Sequence, residues 1–129
     1  MPGSGNGNGK GDVATPRFLV ECKETGQATL CIRIAWFTKL ALECRQAARR
    51  PLFAFEFGNG ERRYLVEAAS VPESIWAPAA QRDWSLLRSV RVLPADLDPG
   101  TVIVTGRWIW LAMAEPDLLR WKENIEANH

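Results

Sequence analysis

The sequence predicts a mixed α+β domain built on one central sheet flanked by helices. Three observations lead there. Apolar and polar residues alternate through 17–25, 52–57 and 62–69, the period of a strand. The period turns helical over 35–50 and again over 115–127. At 129 residues, 47% of them hydrophobic, the chain is long enough to bury a core of its own.

Residues 1–11 are Gly- and Asn-rich backbone with few side chains to pack, so they read as a flexible loop ahead of a single domain over 12–129. Residues 12–15 are a short strand, broken by Pro16. Residues 17–25 are a second strand, with Phe18, Val20 and Cys22 on one face and Glu21 and Lys23 on the other. Gly26 turns the chain into a third strand over 28–34, where Leu30, Ile32 and Ile34 share a face. The helix over 35–50 places Trp36, Leu40 and Ala47 near one stripe, with Phe37, Ala41, Cys44 and Ala48 beside it. Lys39, Glu43, Gln46 and Arg50 form its polar stripe, and Pro51 is expected to end it. Phe53, Phe55 and Phe57 line one face of the strand over 52–57. Asn59-Gly60 marks a tight hairpin turn into the strand over 62–69.

The segment 71–80 is loop-like around Pro72 and Pro78, and 81–89 is expected to hold a helical turn or two. A short strand over 90–93 and a turn-rich connector over 94–100 follow. Residues 101–105 and 107–113 read as strands, and 115–127 as the last helix, with Pro116 in its first turn. Trp108 and Trp110 share a strand face on which Trp121 of that helix is expected to rest.

Net charge is +1 and pI about 7.7, which argues against a protein that coats nucleic acid. Any basic patch must be local: Arg45, Arg49 and Arg50; Arg62 and Arg63; Arg88 and Arg91. Cys22, Cys31 and Cys44 lack C-x-x-C spacing, so neither a disulfide framework nor a zinc site is indicated; reduced thiols in a cytoplasm are expected. No secretory signal and no membrane-length apolar run is visible. The single histidine is His129, which leaves no internal histidine for a nucleophilic triad or a histidine metal site. Chemistry must run on carboxylates and lysines.

Asp12, Glu21 and Lys23 offer such chemistry. Glu21 and Lys23 leave one strand on the same side, and a short preceding strand can return Asp12 beside Glu21. Two carboxylates with a backbone carbonyl suit Mg²⁺ or Mn²⁺. A bound ion polarises a phosphate and acidifies water, while Lys23 assists that water or stabilises charge on the phosphate. Lys39, early on the helix, is a second candidate cation.

Gly11-Asp12 followed by Glu21-Cys22-Lys23 resembles the PD-(D/E)xK nuclease signature. The runs Gly3-Ser4-Gly5-Asn6, Lys10-Gly11-Asp12-Val13 and Val20-Glu21-Cys22-Lys23-Glu24-Thr25, with Trp36, Lys39 and Glu43 and the Pro51-led apolar strand, resemble phage-type relatives of archaeal Holliday-junction resolvases. The similarity covers about residues 3–58, the motif core being 12–58; the remainder, including the extension over 70–129, is not matched apart from its strand-then-helix ending. It implies a restriction-endonuclease-like mixed sheet and a divalent-metal-dependent endonuclease acting on branched DNA, commonly as a homodimer. In that reading Asp12, Glu21 and the Cys22 carbonyl hold the metal, Lys23 and Lys39 are catalytic, and Glu43 supports them. Ser4, Asn6, Lys10, Arg45 and Arg49 would face DNA. The family's first helix, which carries a metal-completing glutamate, has no counterpart ahead of the Gly-rich run. Either the natural protein starts upstream of Met1 or that helix is absent, with Glu43 or a partner subunit's carboxylate standing in.

Plainer assignments compete. Lys39 and Glu43 at i, i+4 make an ordinary surface ion pair. Arg45, Arg49 and Arg50 suit a solvated helix end. The tryptophans suit a core or a dimer interface, with base stacking by Trp76 or Trp84 a minor alternative. A nuclease-like module that binds DNA or protein without cutting is the rival function.

Overall fold

The computed structural model of the chain describes residues 12–75 and 77–127, with Asp12, Val13 and Ile75 described by their backbone alone. The expected loop over 1–11 and Trp76 lie outside the described residues. Strands β1 (Asp12–Ala14), β2 (Phe18–Glu24) and β3 (Leu30–Arg33) lead into helix α1 (Ala35–Ala47). Strands β4 (Arg50–Glu56), β5 (Arg62–Glu67), β6 (Ala80–Asp83) and β7 (Ser89–Val92) follow. Strands β8 (Thr101–Thr105) and β9 (Trp108–Met113) precede helix α2 (Glu115–Ala127).

Seven strands form one mixed sheet in the order β1-β2-β4-β5-β9-β8-β6. The pairs β2–β4 and β8–β6 are parallel, and the other neighbours are antiparallel. A parallel pair needs a long crossover, and the segment carrying α1 supplies it between β2 and β4. Helices flank the sheet on both faces, as the alternating pattern requires. On the α1 side, Phe37, Leu40, Ala41 and Cys44 pack with Phe53, Phe55, Leu65, Ile103 and Trp110. On the α2 side, Leu118 and Trp121 pack with Phe18, Leu52, Val66, Val102, Leu111 and Met113.

An aromatic cluster fastens α1. The Phe37 ring lies 5.0 Å from both Phe53 and Trp110, and Phe53 lies 5.6 Å from Trp110. Trp110 is fully buried, and its indole Nε1 donates to Thr105 Oγ1 at 2.9 Å. The donor therefore keeps a partner where no water reaches it.

Several expectations need correction. The third strand does not join the central sheet: among the described residues β3 pairs with β7, in a separate two-stranded sheet over the α1-side core. Leu30 and Ile32 are buried and Ile34 packs against the same core, as expected, although Ile34 lies just past β3 as the N-cap residue of α1. Residues 80–83 are a strand, not a helical turn; β6 lines up with β8 from Ala80 opposite Thr101 to Asp83 opposite Val104. All four β6 residues are exposed, so no apolar alternation advertised the strand. Trp121 does not cover Trp108 and Trp110. Those two face α1, while Trp121 lies edge-on to Phe18 at 5.5 Å on the opposite face. Trp84 is buried in the core and offers no ring for base stacking.

The hairpin expected over 57–61 is present, and its turn is set by Gly60. Gly60 takes a positive φ of 87° and Asn59 does not, and Gly60 N–H donates to the Phe57 carbonyl at 2.9 Å. This is a three-residue loop closed by a left-handed glycine. Gly58 is required for another reason: an added Cβ would lie 2.4 Å from the Gly26 carbonyl oxygen. Pro51 does not end α1. The helix stops at Ala47, Ala48 turns left-handed (φ 56°, ψ 44°), and Arg49 N–H closes back on the Cys44 carbonyl at 2.9 Å. That closure is a Schellman-type cap, with alanine where glycine is usual. Pro51 then sits inside β4, opposite Leu19.

Two stability changes follow. Phe37→Ala is expected to cost about 3–5 kcal/mol in denaturant unfolding, because the site is walled by rigid rings. Ala48→Gly is expected to stabilise by about 0.5–1 kcal/mol, since it relieves a Cβ in the left-handed region; a loss of stability would count against the cap.

Candidate functional site

The backbone register places Asp12 opposite Glu21, two residues before Lys23 on β2. The same antiparallel register of β1 and β2 sets Val13 opposite Val20 and Ala14 opposite Leu19. Opposed residues in such a pair have Cα atoms about 4.5–5.5 Å apart. Thr15 and Phe18 close the hairpin with two bonds: Thr15 N–H donates to the Phe18 carbonyl at 2.9 Å, and Phe18 N–H to Thr15 Oγ1 at 3.0 Å.

Glu21 and Lys23 share a face, as strand periodicity demands. Lys23 Nζ lies 3.0 Å from Glu21 Oε2, with both side chains about three-quarters buried, at 29% and 24% exposure. The ammonium also sits over the Trp36 ring, 4.5 Å from its centroid. Trp36 is the second residue of α1, so the packing of the next residue, Phe37, holds it there. The result is a lysine held between a carboxylate and an indole face, where partial burial strengthens both contacts.

Glu21, Asp12 and the Cys22 carbonyl supply oxygen donors of the kind Mg²⁺ and Mn²⁺ take, so the donor chemistry fits a hard divalent ion. Among the described residues, no group of three or more acidic, histidine or cysteine side chains is placed to hold a metal.

The other predicted residues scatter. Lys39 and Glu43 are exposed on α1, and among the described residues no ion pair joins them. Arg45 is engaged elsewhere. Its guanidinium meets the Glu67 carboxylate at 2.8 Å, donates to the Ala41 carbonyl at 3.2 Å and lies 4.2 Å from the Trp108 ring centroid. Glu67 and Trp108 lie on strands two and three removed from β2, so Arg45 is about 10–15 Å from the Glu21 strand. Arg49 is half-buried just past the α1 cap. Ser4, Asn6 and Lys10 lie outside the described residues.

Sequence reasoning did not foresee the ring contact to Lys23. Its signal was present, since an aromatic residue opening the crossover helix can reach the end of the preceding parallel strand. Arg17 also went unnoticed, although it precedes β2 and Arg50 opens the parallel neighbour β4; Arg50 N–H donates to the Arg17 carbonyl at 2.8 Å. A third unforeseen feature is the Tyr64 hydroxyl, which donates to Glu115 Oε1 at 2.8 Å. Burial, then that carboxylate, hold its pKa above the usual phenol value.

No protein-family model matches the chain, and no curated protein or solved structure is significantly similar to it. No described helix is long and apolar enough to cross a membrane.

No disulfide joins the cysteines, which sit in contrasting settings: Cys31 exposed, Cys22 intermediate and Cys44 buried. Burial pushes the Cys44 thiol up to about 11, opposed by a hydrogen bond with the Leu19 backbone. A raised thiol pKa means that the folded chain keeps a proton the unfolded chain releases. Its contribution to stability is therefore complete below pH 9 and is lost as pH climbs toward 11. Iodoacetamide at pH 8 should modify Cys31 rapidly and Cys44 only on unfolding. Equal rates at the two would contradict this placement.

Proposed function

We propose that the chain is a divalent-metal-dependent DNA endonuclease whose active centre is the Asp12–Glu21–Lys23 end of the N-terminal hairpin. The observation that carries the reading is the register pairing Asp12 with Glu21 while Lys23 reaches the same carboxylate at 3.0 Å. Asp12, Glu21 and the Cys22 carbonyl are the residues that would hold Mg²⁺ or Mn²⁺. When bound, the ion supplies Lewis-acid polarisation of the phosphate and acidifies the attacking water.

The chain's own residues do the rest. The Glu21 carboxylate orients Lys23, and the Trp36 ring closes one side of the ammonium and narrows its rotamers. Lys23 then offers positive charge to the phosphoryl oxygens as negative charge grows on them. Lys39 and Glu43 lie on the exposed side of α1 in a supporting role. Branched duplex DNA, a homodimer and a cytoplasmic setting belong to the same proposal, with Ser4, Asn6, Lys10 and Arg49 toward the DNA. Arg45 would have to leave Glu67 to join them.

Asp12→Asn, Glu21→Gln and Lys23→Ala are each expected to lower cleavage of a branched DNA substrate in Mg²⁺ by at least about 100-fold with the folded state retained, Glu21→Gln and Lys23→Ala melting somewhat lower because each breaks the partly buried pair. Full activity in purified Glu21→Gln would refute the assigned role.

A second reading has one observation in its favour. The Lys23 ammonium is engaged by both Glu21 and Trp36, the arrangement of a structural ion pair. On that reading the domain binds DNA or a partner protein without cutting. Calorimetry with Mn²⁺ separates the two: heat of binding that disappears in Glu21→Gln supports the enzyme, and its absence at millimolar Mn²⁺ supports the binding module.

A further inference from the structure

We propose a second site: a pocket at the opposite end of β2, built on Arg17 and Arg50, that binds a phosphomonoester. The cavity measures about 360 Å³ and is lined by Arg17, Arg50, Ser70, Trp121, Asn124 and Ile125. That is the low end of the range of small-ligand pockets and far larger than one phosphate ion needs. Arg17 and Arg50 start neighbouring parallel strands, and the bond from Arg50 N–H to the Arg17 carbonyl at 2.8 Å fixes their backbones side by side.

Several arginines, Arg33, Arg49, Arg88, Arg91 and Arg107 among them, lack a carboxylate within 4 Å among the described residues, but Arg17 and Arg50 are the two of this set that line one cavity together. Among the described residues, Arg45, Arg62, Arg63, Arg82 and Arg120 each have a carboxylate within 4 Å. Arg17 and Arg50 are half-buried, line one cavity and have no such partner among the described residues. Withdrawing a guanidinium from water without an anion is unfavourable, and an external oxyanion would offset it. The nearest competitor is Glu126, whose carboxyl is held below its usual range first by the Thr15 hydroxyl and then by the Lys122 and Arg17 charges. Lys122 Nζ lies 3.5 Å from that carboxylate, while Arg17 acts on it from beyond ion-pair distance, so Glu126 only partly balances the two guanidinium groups.

Two guanidinium forks match a dianion better than a single negative charge. A phosphomonoester carries close to two charges at neutral pH, whereas a phosphodiester carries one. Asn124 offers hydrogen bonds to the polar remainder of the ligand, the Ser70 hydroxyl, which donates to the Glu67 carbonyl at 2.8 Å, can only accept, and Trp121 and Ile125 give an apolar wall. The ligand class is thus a phosphomonoester with an organic body, from either a free mononucleotide or the 5′ end of a nucleic-acid strand. The pocket does not depend on the nuclease reading: Arg17 is about 13 Å along the strand from Glu21.

The test is calorimetry on the full chain in metal-free buffer with three probes: adenosine 5′-monophosphate, and one short oligonucleotide with and without a 5′-phosphate. Saturable binding is expected that weakens at least 10-fold in Arg17→Ala and in Arg50→Ala, while the exposed-arginine control Arg88→Ala is unchanged. Binding of the mononucleotide alone assigns the free ligand, and dependence on the 5′-phosphate assigns the strand end. Arg50→Lys, which keeps the charge and loses the fork, should bind at an intermediate level and serves if Arg50→Ala does not fold. No saturable binding by any probe, or an equal loss in Arg88→Ala, would overturn the site. So would unchanged affinity with a lowered melting temperature in both alanine variants, which would make the arginines counter-charges at the nearby helix ends.

Discussion

The contact of Phe37 with Phe53 and Trp110 is the constraint from which the rest of the molecule follows. It pins the crossover helix to the middle of the sheet, and so sets the parallel pairing of the strands on either side of it. Ring pairs of this kind contribute about 0.5–1.5 kcal/mol beyond their burial, and here three of them share one buried centre. Trp36 is the preceding residue, so the anchor that orders the core also places an indole against Lys23. The core and the candidate site are therefore linked by a single peptide bond.

The strand β2 carries two different chemistries at its two ends. Its later half presents a carboxylate and an ammonium toward the α1 side. Its beginning, with the start of β4, presents two guanidinium groups to a cavity beside the last helix. The separation reflects how a mixed sheet is built. Parallel neighbours begin at the same end, so Arg17 and Arg50 collect there, while the hairpin partner β1 runs backward and returns Asp12 to the Glu21 level. Arg45 belongs to neither end, because Glu67 and Trp108 hold it across the sheet.

Much of this was legible in the residue order, for physical reasons that differ by element. The hairpin register could be read because Pro16 leaves few ways to turn between two strands, and α2 because its first-turn proline and apolar stripe agree. The pairing of Glu21 with Lys23 required nothing beyond a period of two. Strand β6 was not legible, since its residues are all exposed and its partner β8 lies about twenty residues away in sequence. The separate β3–β7 sheet was hidden for a related reason: alternation reports that a strand has a buried face but not which strand it pairs with. Trp121 was assigned to the wrong face because composition alone does not say on which side of the sheet a terminal helix packs. Ala48 hid the end of α1, because a left-handed alanine carries none of the signal that a glycine would.

The most direct measurement of the central claim is the broadening of backbone amide signals in two-dimensional NMR as Mn²⁺ is added in small amounts. A paramagnetic ion erases signals near it and so locates its own site without any assay of cleavage. The expected result is loss centred on Asp12, Glu21, Cys22 and Lys23, with the Trp36 indole signal next and the Arg17–Arg50 end spared. Broadening centred elsewhere, or none at millimolar Mn²⁺, would contradict a metal centre on the N-terminal hairpin.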